Sequence, residues 1–169
     1  MNALVPLVVL VPLVGAATAL ILGRSPRAQR LVTIFALVIV LVIGSVMLYV
    51  VDTVGPLMME VGGWAAPFGI VLIVDRLAAL MVVVSIGQGL ADGDRGTPVS
   101  IYYPAYLILA TGVFNAFIAG DLFNLYVGFE ILLVASYVLI TLGGTEARIR
   151  AGTTYIVVSL LSSILFLAS

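Results

Sequence analysis

The chain has 169 residues, of which 63% are apolar and 9% are charged, and its formal net charge is −1. Its mean hydropathy is +1.33, whereas roughly a quarter of the residues in an ordinary soluble domain are charged. This composition excludes a soluble fold, and without a basic face it excludes a nucleic-acid partner. Cysteine and histidine are absent, which excludes catalysis by a thiolate or by a histidine general base. We expect no cofactor, and we leave open whether the chain binds a metal.

Six long apolar segments predict an all-α integral membrane protein with about six transmembrane helices. Continuous rather than alternating apolar runs favour helices over a barrel, since backbone groups in a bilayer must be hydrogen-bonded internally. Most segments approach the ~20 residues that cross ~30 Å of hydrocarbon. We treat residues 1–169 as a single transmembrane domain, and its end inside an apolar run predicts a truncated chain. The predicted helices are residues 3–22, 31–51, 68–90, 101–120, 122–142 and 152–169.

The third predicted helix and the segment before it are irregular. Its clean apolar stretch covers only Leu77 to Ile86, after the charged pair Asp75-Arg76. The preceding residues 52–67 contain Gly62-Gly63 among apolar residues. This pattern predicts a small hairpin at the membrane interface.

The positions of the arginines predict an N-terminus outside the cell. Basic residues collect in the cytoplasmic loops of membrane proteins. The second and fourth connections, around Asp52, Glu60 and Asp121, contain no arginine. The first, third and fifth connections contain Arg24, Arg27, Arg30, Arg95, Arg148 and Arg150.

Glu130 is the strongest candidate for a functional residue. It follows Asp121, the predicted cap of the fifth helix, by nine residues, which places it roughly 13 Å deep at ~1.5 Å per residue. A carboxyl group at that depth is costly and usually marks a proton or ion route. The alternative is a protonated glutamic acid that only links two helices.

Other polar residues extend this candidate into a proton path. Tyr126, Tyr137 and Thr141 share a helical face with Glu130, although Tyr126 fits an interfacial anchor equally well. Hydroxyl groups at Ser159, Ser162 and Ser163 form a polar patch on the sixth helix. This patch is either a close-packing surface or, at Ser159 and Ser163, part of that path. Asp75 is either a second protonatable group or an anchor for a neighbouring helix. Asp121 and Asn124 are interpreted as helix-start residues.

The run GDLFNLYVGFEILLVASYVLI, from residue 120 to 140, with YYPAYLILATGVFNAFIA before it, resembles the D subunit of the multisubunit Na+/H+ antiporters of the Mrp type. VDRLAALM and TEARIRAG extend the resemblance over essentially the whole chain. The resemblance implies the first part of an antiporter-like fold related to the membrane subunits of respiratory complex I. It also implies that Glu130 transfers protons opposite a lysine of a seventh helix, and this chain contains no lysine.

The resemblance implies a proton-conducting transporter subunit, not an enzyme. It would work with other antiporter subunits in the plasma membrane and export Na+ in exchange for H+. An alternative is a proton-pumping subunit of an NADH:quinone oxidoreductase or a membrane-bound hydrogenase. A third hypothesis is a structural membrane subunit in which Glu130 only joins helices.

Overall fold

The computed structural model describes residues 2–64, 69–91, 100–142 and 144–168, which form six α-helices and one two-stranded hairpin. Three of these helices, α2, α5 and α6, contain a stretch long and apolar enough to cross a membrane, while α1, α3 and α4 are shorter and apolar. The elements are α1 Leu7–Ile21, α2 Pro26–Val54, β1 Leu57–Glu60, β2 Val71–Val74, α3 Arg76–Ala91, α4 Tyr102–Ile118, α5 Leu122–Thr141 and α6 Glu146–Ala168.

Local sequence explains where the long helices begin and end. Pro26 occupies the first turn of α2 after an extended Ser25, where its missing N–H costs nothing. Gly55 ends α2 with φ +110°, a conformation that other residues rarely adopt. Both ends of α2 lie outside the predicted 31–51, and α6 begins at Glu146 rather than at residue 152.

The predicted start of the third helix at residue 68 is wrong, because α3 begins at Arg76. The β-branched run Val71–Val74 is instead paired antiparallel with Leu57–Glu60. The hairpin expected in residues 52–67 therefore exists, but its second strand lies beyond that range. Asp75 ends the strand and caps α3, since its Oδ1 accepts the N–H of Ala78 at 2.7 Å.

Helices α1 to α4 enclose the core, α5 packs on α4, and α6 packs on α5. Two glycines allow α4 and α5 to approach closely. A Cβ on Gly112 would lie 2.7 Å from the backbone nitrogen of Leu132, and one on Gly128 would lie 3.0 Å from that of Ala116. The outward side of α6 exposes large apolar residues such as Leu161 and Leu165. The α5–α6 pair is thus the least enclosed part of the described chain.

Candidate functional site

Glu130 and Ser163 meet between α5 and α6. Glu130 is half-buried in the middle of α5, and the hydroxyl of Ser163 on α6 donates a hydrogen bond to its Oε1. Two residues of the predicted path are therefore in direct contact. Among the described residues, Glu130 forms no ion pair, and the recorded pairs, Arg76–Asp52 and Arg150–Glu146, lie near helix ends.

Ser163 differs from neighbouring hydroxyl residues in its hydrogen-bond acceptor. Three other hydroxyl groups of α6 donate to carbonyls one turn back in the same helix, those of Thr153, Thr154 and Ser162. Such bonds satisfy the hydroxyl without linking helices. Ser163 bonds to a side chain of another helix, so it is the member of the predicted polar patch that contacts the carboxyl.

A groove of about 320 Å³ lies alongside this contact. Its walls combine aromatic and aliphatic side chains with the hydroxyl groups of Tyr126, Ser159, Ser162 and Ser163. Such a mixed lining can hold water next to a titratable group, because water needs several polar partners to stay ordered. The lining residues are Tyr126, Phe129, Leu133, Val158, Ser159, Ser162, Ser163 and Phe166.

Tyr137 and Thr141 face α6 at the opposite end of α5. A Cβ on Gly152 would lie 2.6 Å from Thr141 Cγ2 and 3.1 Å from Tyr137 Cε2, so the two helices are in tight contact there. The hydroxyl of Thr141 donates to the carbonyl of Tyr137 at 2.8 Å. The predicted stripe of α5 thus faces α6 from Tyr126 to Thr141, and the groove with its few hydroxyl groups lies at the Tyr126 end.

The prediction that Asp75 lies inside a membrane-spanning helix is wrong. Asp75 is exposed between β2 and α3, where its carboxylate caps the helix. The neighbouring Arg76 pairs with Asp52 at 3.0 Å, and both side chains are mostly exposed. The cap and the exposed position favour the structural reading of Asp75 and separate it from Glu130.

Sequence reasoning missed two buried amide side chains and misread a third. Asn115 of α4 donates to Oδ1 of Asn124 at 3.1 Å, so the buried Asn124 links two helices and does not merely start α5. Gln29 is fully buried and donates to the carbonyls of Ala19 and Ser100. An amide inside an apolar run is the signal that would have identified Asn115.

Asp121 joins the hairpin to the helix that carries Glu130. Its Oδ1 accepts the N–H of Asn124 at 2.7 Å, which confirms the predicted cap. Its Oδ2 accepts the N–H of Val71 at 2.9 Å, and the N–H of Gly120 donates to the carbonyl of Val71 at 2.8 Å. The hairpin is therefore attached to the start of α5. In the described part of the chain, no group of three or more acidic residues is arranged to hold a metal ion.

The Glu130 carboxyl lies between two apolar helices of a mostly helical fold, an arrangement typical of membrane subunits that conduct protons or ions. Comparison with known proteins identifies the class as antiporter-like membrane subunits. Residues 119–169 match a transmembrane family described as NADH:quinone oxidoreductase/Mrp antiporter. Across 99% of its length the chain is 37% identical to the D subunit of the Na+/H+ antiporter of Alkalihalophilus pseudofirmus, covering 35% of that protein. The corresponding protein of Bacillus subtilis is 39% identical, with 98% of this chain and 35% of that protein covered.

Two solved structures share the fold. A chain of the Mrp complex from Dietzia sp. DQ12-45-1b superimposes with a TM-score of 0.86 and 26% identity, over 99% of this chain and 34% of that one. A chain of an archaeal membrane-bound sulfane sulfur reductase superimposes with a TM-score of 0.90 and 25% identity. This alignment covers 99% of the present chain and 36% of the reductase chain. The chain is a homologue of the D subunit of the Na+/H+ antiporters and an integral membrane protein. It spans about a third of the length of these relatives, and its predicted antiporter-like helical fold is confirmed.

Proposed function

We propose that this chain forms part of a proton-conducting subunit of a multisubunit Na+/H+ antiporter, in which Glu130 takes up and releases the transported proton. The observation that carries the proposal is the Glu130 carboxyl in the middle of α5, bonded to Ser163 beside a groove with polar groups. Similarity to the antiporter D subunits over the whole chain supports the same assignment.

The geometry suits a group that changes its protonation state. A carboxylate in the bilayer interior is costly unless it is hydrogen-bonded or neutralised. Ser163 supplies one hydrogen bond, and its hydroxyl can also accept one, so the contact suits both forms of the carboxyl. A cation that neutralises Glu130 during turnover would come from outside the described residues, from the remainder of a longer subunit or from a partner subunit.

The proton would travel along the face that α5 turns to α6. Tyr126, Ser159 and Ser163 line the groove and would order the water that reaches Glu130. Tyr137 and Thr141 would continue the path toward the other end of α5, where the helices are tightly packed. The proposal places the hairpin side outside a plasma membrane and the arginine-rich connections in the cytoplasm.

The direct test is Na+-dependent proton movement in everted membrane vesicles that contain the full-length complex. We expect Glu130→Gln to abolish the exchange, because the amide keeps the size of the side chain but carries no transferable proton. A matched control is Glu146→Gln, which removes a carboxylate that is 82% exposed and paired with Arg150. This control should exchange at the wild-type rate.

Equal assembly of the variants, measured by co-purification of the subunits, is required for the comparison. Wild-type exchange by a fully assembled Glu130→Gln complex would contradict the proton-carrying role. Glu130 would then be a residue that joins α5 to α6, as the structural hypothesis states.

A second candidate is a proton-pumping subunit of a redox-driven complex. The superposition on a chain of a sulfane sulfur reductase supports it, because the described residues share their fold with a subunit of that respiratory complex. Exchange by the vesicles in the absence of any electron donor would favour the antiporter. Proton movement that requires electron flow would favour the redox-driven complex.

A further inference from the structure

We propose that the groove between α1 and α2 binds the acyl chain of an anionic phospholipid, whose phosphate contacts the arginines at one end of the groove. The groove has a volume of about 780 Å³. Its lining is apolar apart from Thr18, whose hydroxyl donates to the carbonyl of Gly15 in the same helix. The site is separate from Glu130, and the proposal does not depend on the transport activity.

The shape of the groove fits a chain that runs parallel to the helices. Its lining on α1 extends from Leu7 to Leu22, which is ~22 Å at ~1.5 Å per residue. One leaflet of hydrocarbon is about 15 Å deep, half of the ~30 Å core. The groove is therefore long enough to hold one acyl chain of a leaflet over the whole length of that acyl chain.

The base and the walls of the groove are built differently. Gly15 forms the base, because a Cβ there would lie 3.1 Å from that of Ala36 and 3.2 Å from Leu107 Cδ1. The walls remain open, with Val14 60% exposed and Phe35 69% exposed. The small residues thus leave a recess between larger side chains, which suits a flexible hydrocarbon chain.

The positive charge at one end of the groove favours a lipid with an anionic headgroup. Leu22 lines the groove, Arg24 follows it by two residues, and Arg27 lies in the first turn of α2; both arginines are exposed. The start of α2 adds a favourable partial positive charge, and the side chain of Ser25 makes no capping bond there. Basic groups at the end of an intramembrane recess attract anionic headgroups, so the occupant is an anionic lipid.

The test measures lipid binding to the full-length complex by native mass spectrometry after exchange into defined detergent. The probes are phosphatidylglycerol and phosphatidylcholine with identical acyl chains. We expect phosphatidylglycerol to bind roughly tenfold more tightly, and the double variant Arg24→Gln with Arg27→Gln to lose that preference. The control, Arg148→Gln with Arg150→Gln, removes two exposed arginines from α6 and should keep it.

A photoreactive residue at Val14 supplies a second measurement that does not depend on charge. We expect it to crosslink to lipid in native membranes. Crosslinking to a protein segment would overturn the proposal by showing that a helix of the complex fills the groove. Equal binding of both lipids, or a preference that survives loss of Arg24 and Arg27, would overturn the choice of an anionic lipid.

Discussion

At the scale of single residues, the partner of each polar group determines its role. Ser162 and Ser163 are adjacent and chemically identical, yet Ser162 donates to its own helix and Ser163 donates to Glu130. Consecutive residues on a helix point about 100° apart. The two hydroxyl groups therefore point to different sides of α6. The predicted proton path included Ser163 and left out Ser162, but the spacing alone did not show that Ser163 contacts Glu130.

This difference predicts unequal effects of two alanine substitutions. Ser163→Ala should slow Na+-dependent proton movement by up to about tenfold, since it removes one hydrogen bond from the group that we propose carries the proton. Ser163→Thr keeps the hydroxyl and should retain most of the rate. Ser162→Ala is the matched control and should leave the rate unchanged. Equal rates for the two alanine variants would contradict a role for Ser163.

The asparagine pair is a second prediction at this scale. Asn115→Leu leaves the buried Oδ1 of Asn124 without its donor and should lower the free energy of unfolding by ~1–3 kcal/mol. Asn115→Leu combined with Asn124→Leu should cost less than the sum of the two single variants, because the first substitution has already broken the bond. Thermal denaturation of the purified complex measures both effects, and strict additivity would contradict the coupling.

At the scale of elements, the hairpin shows how pairing overrides an apolar pattern. Residues 71–74 are as apolar as a membrane-spanning helix, and their hydropathy predicted that they belong to the third helix. Their backbone groups bond to Leu57–Glu60, and Gly120 and Asp121 bond to Val71. These partners are distant in the sequence, so local composition did not reveal them. The hairpin therefore holds the start of α5 in place. This attachment fixes the position of Glu130 farther along the same helix.

Asp121 should therefore contribute more to the free energy of unfolding than the exposed ion pair near the hairpin. Asp121→Ala removes a helix cap and a bond to the hairpin, and we expect a loss of about 2 kcal/mol in the free energy of unfolding. Asp52→Asn breaks only the exposed pair with Arg76 and should cost less than about 1 kcal/mol. Thermal denaturation of the two variants in the assembled complex measures the difference. A larger loss for Asp52→Asn would refute this ranking.

At the scale of the whole molecule, the two ends of the helices differ in their balance of charge. Of the described arginines, only Arg76 lies at the hairpin end, where it pairs with Asp52, and the others lie at the opposite end, where Arg150 pairs with Glu146. The hairpin, Asp121 and the start of α3 share one end. The opposite end joins Gly23 to Ser100 by a hydrogen bond of 2.6 Å, and Arg24, Arg27 and Arg30 lie close to Gly23 in sequence. Arg95, counted in the prediction of orientation, lies outside the described residues.

The orientation is testable because the chain contains no cysteine. Glu60→Cys lies on the hairpin and Ser25→Cys lies between α1 and α2, and both positions are exposed. With an N-terminus outside, a membrane-impermeant thiol reagent should label Glu60→Cys in intact cells and Ser25→Cys only after permeabilisation. The reverse pattern would refute the positive-inside assignment.

The sequence by itself determined that the chain is a membrane protein, that it contains six apolar helices, and that Glu130 lies deep in the fifth. These properties follow from hydropathy, from spacing along one helix and from the cost of a carboxyl in hydrocarbon. The tertiary structure alone decided that Ser163 contacts Glu130, that residues 71–74 pair as a strand, and that Asn115 binds Asn124. Each is a contact between two different helices or strands, whose geometry depends on how these elements pack and not on the spacing within one of them.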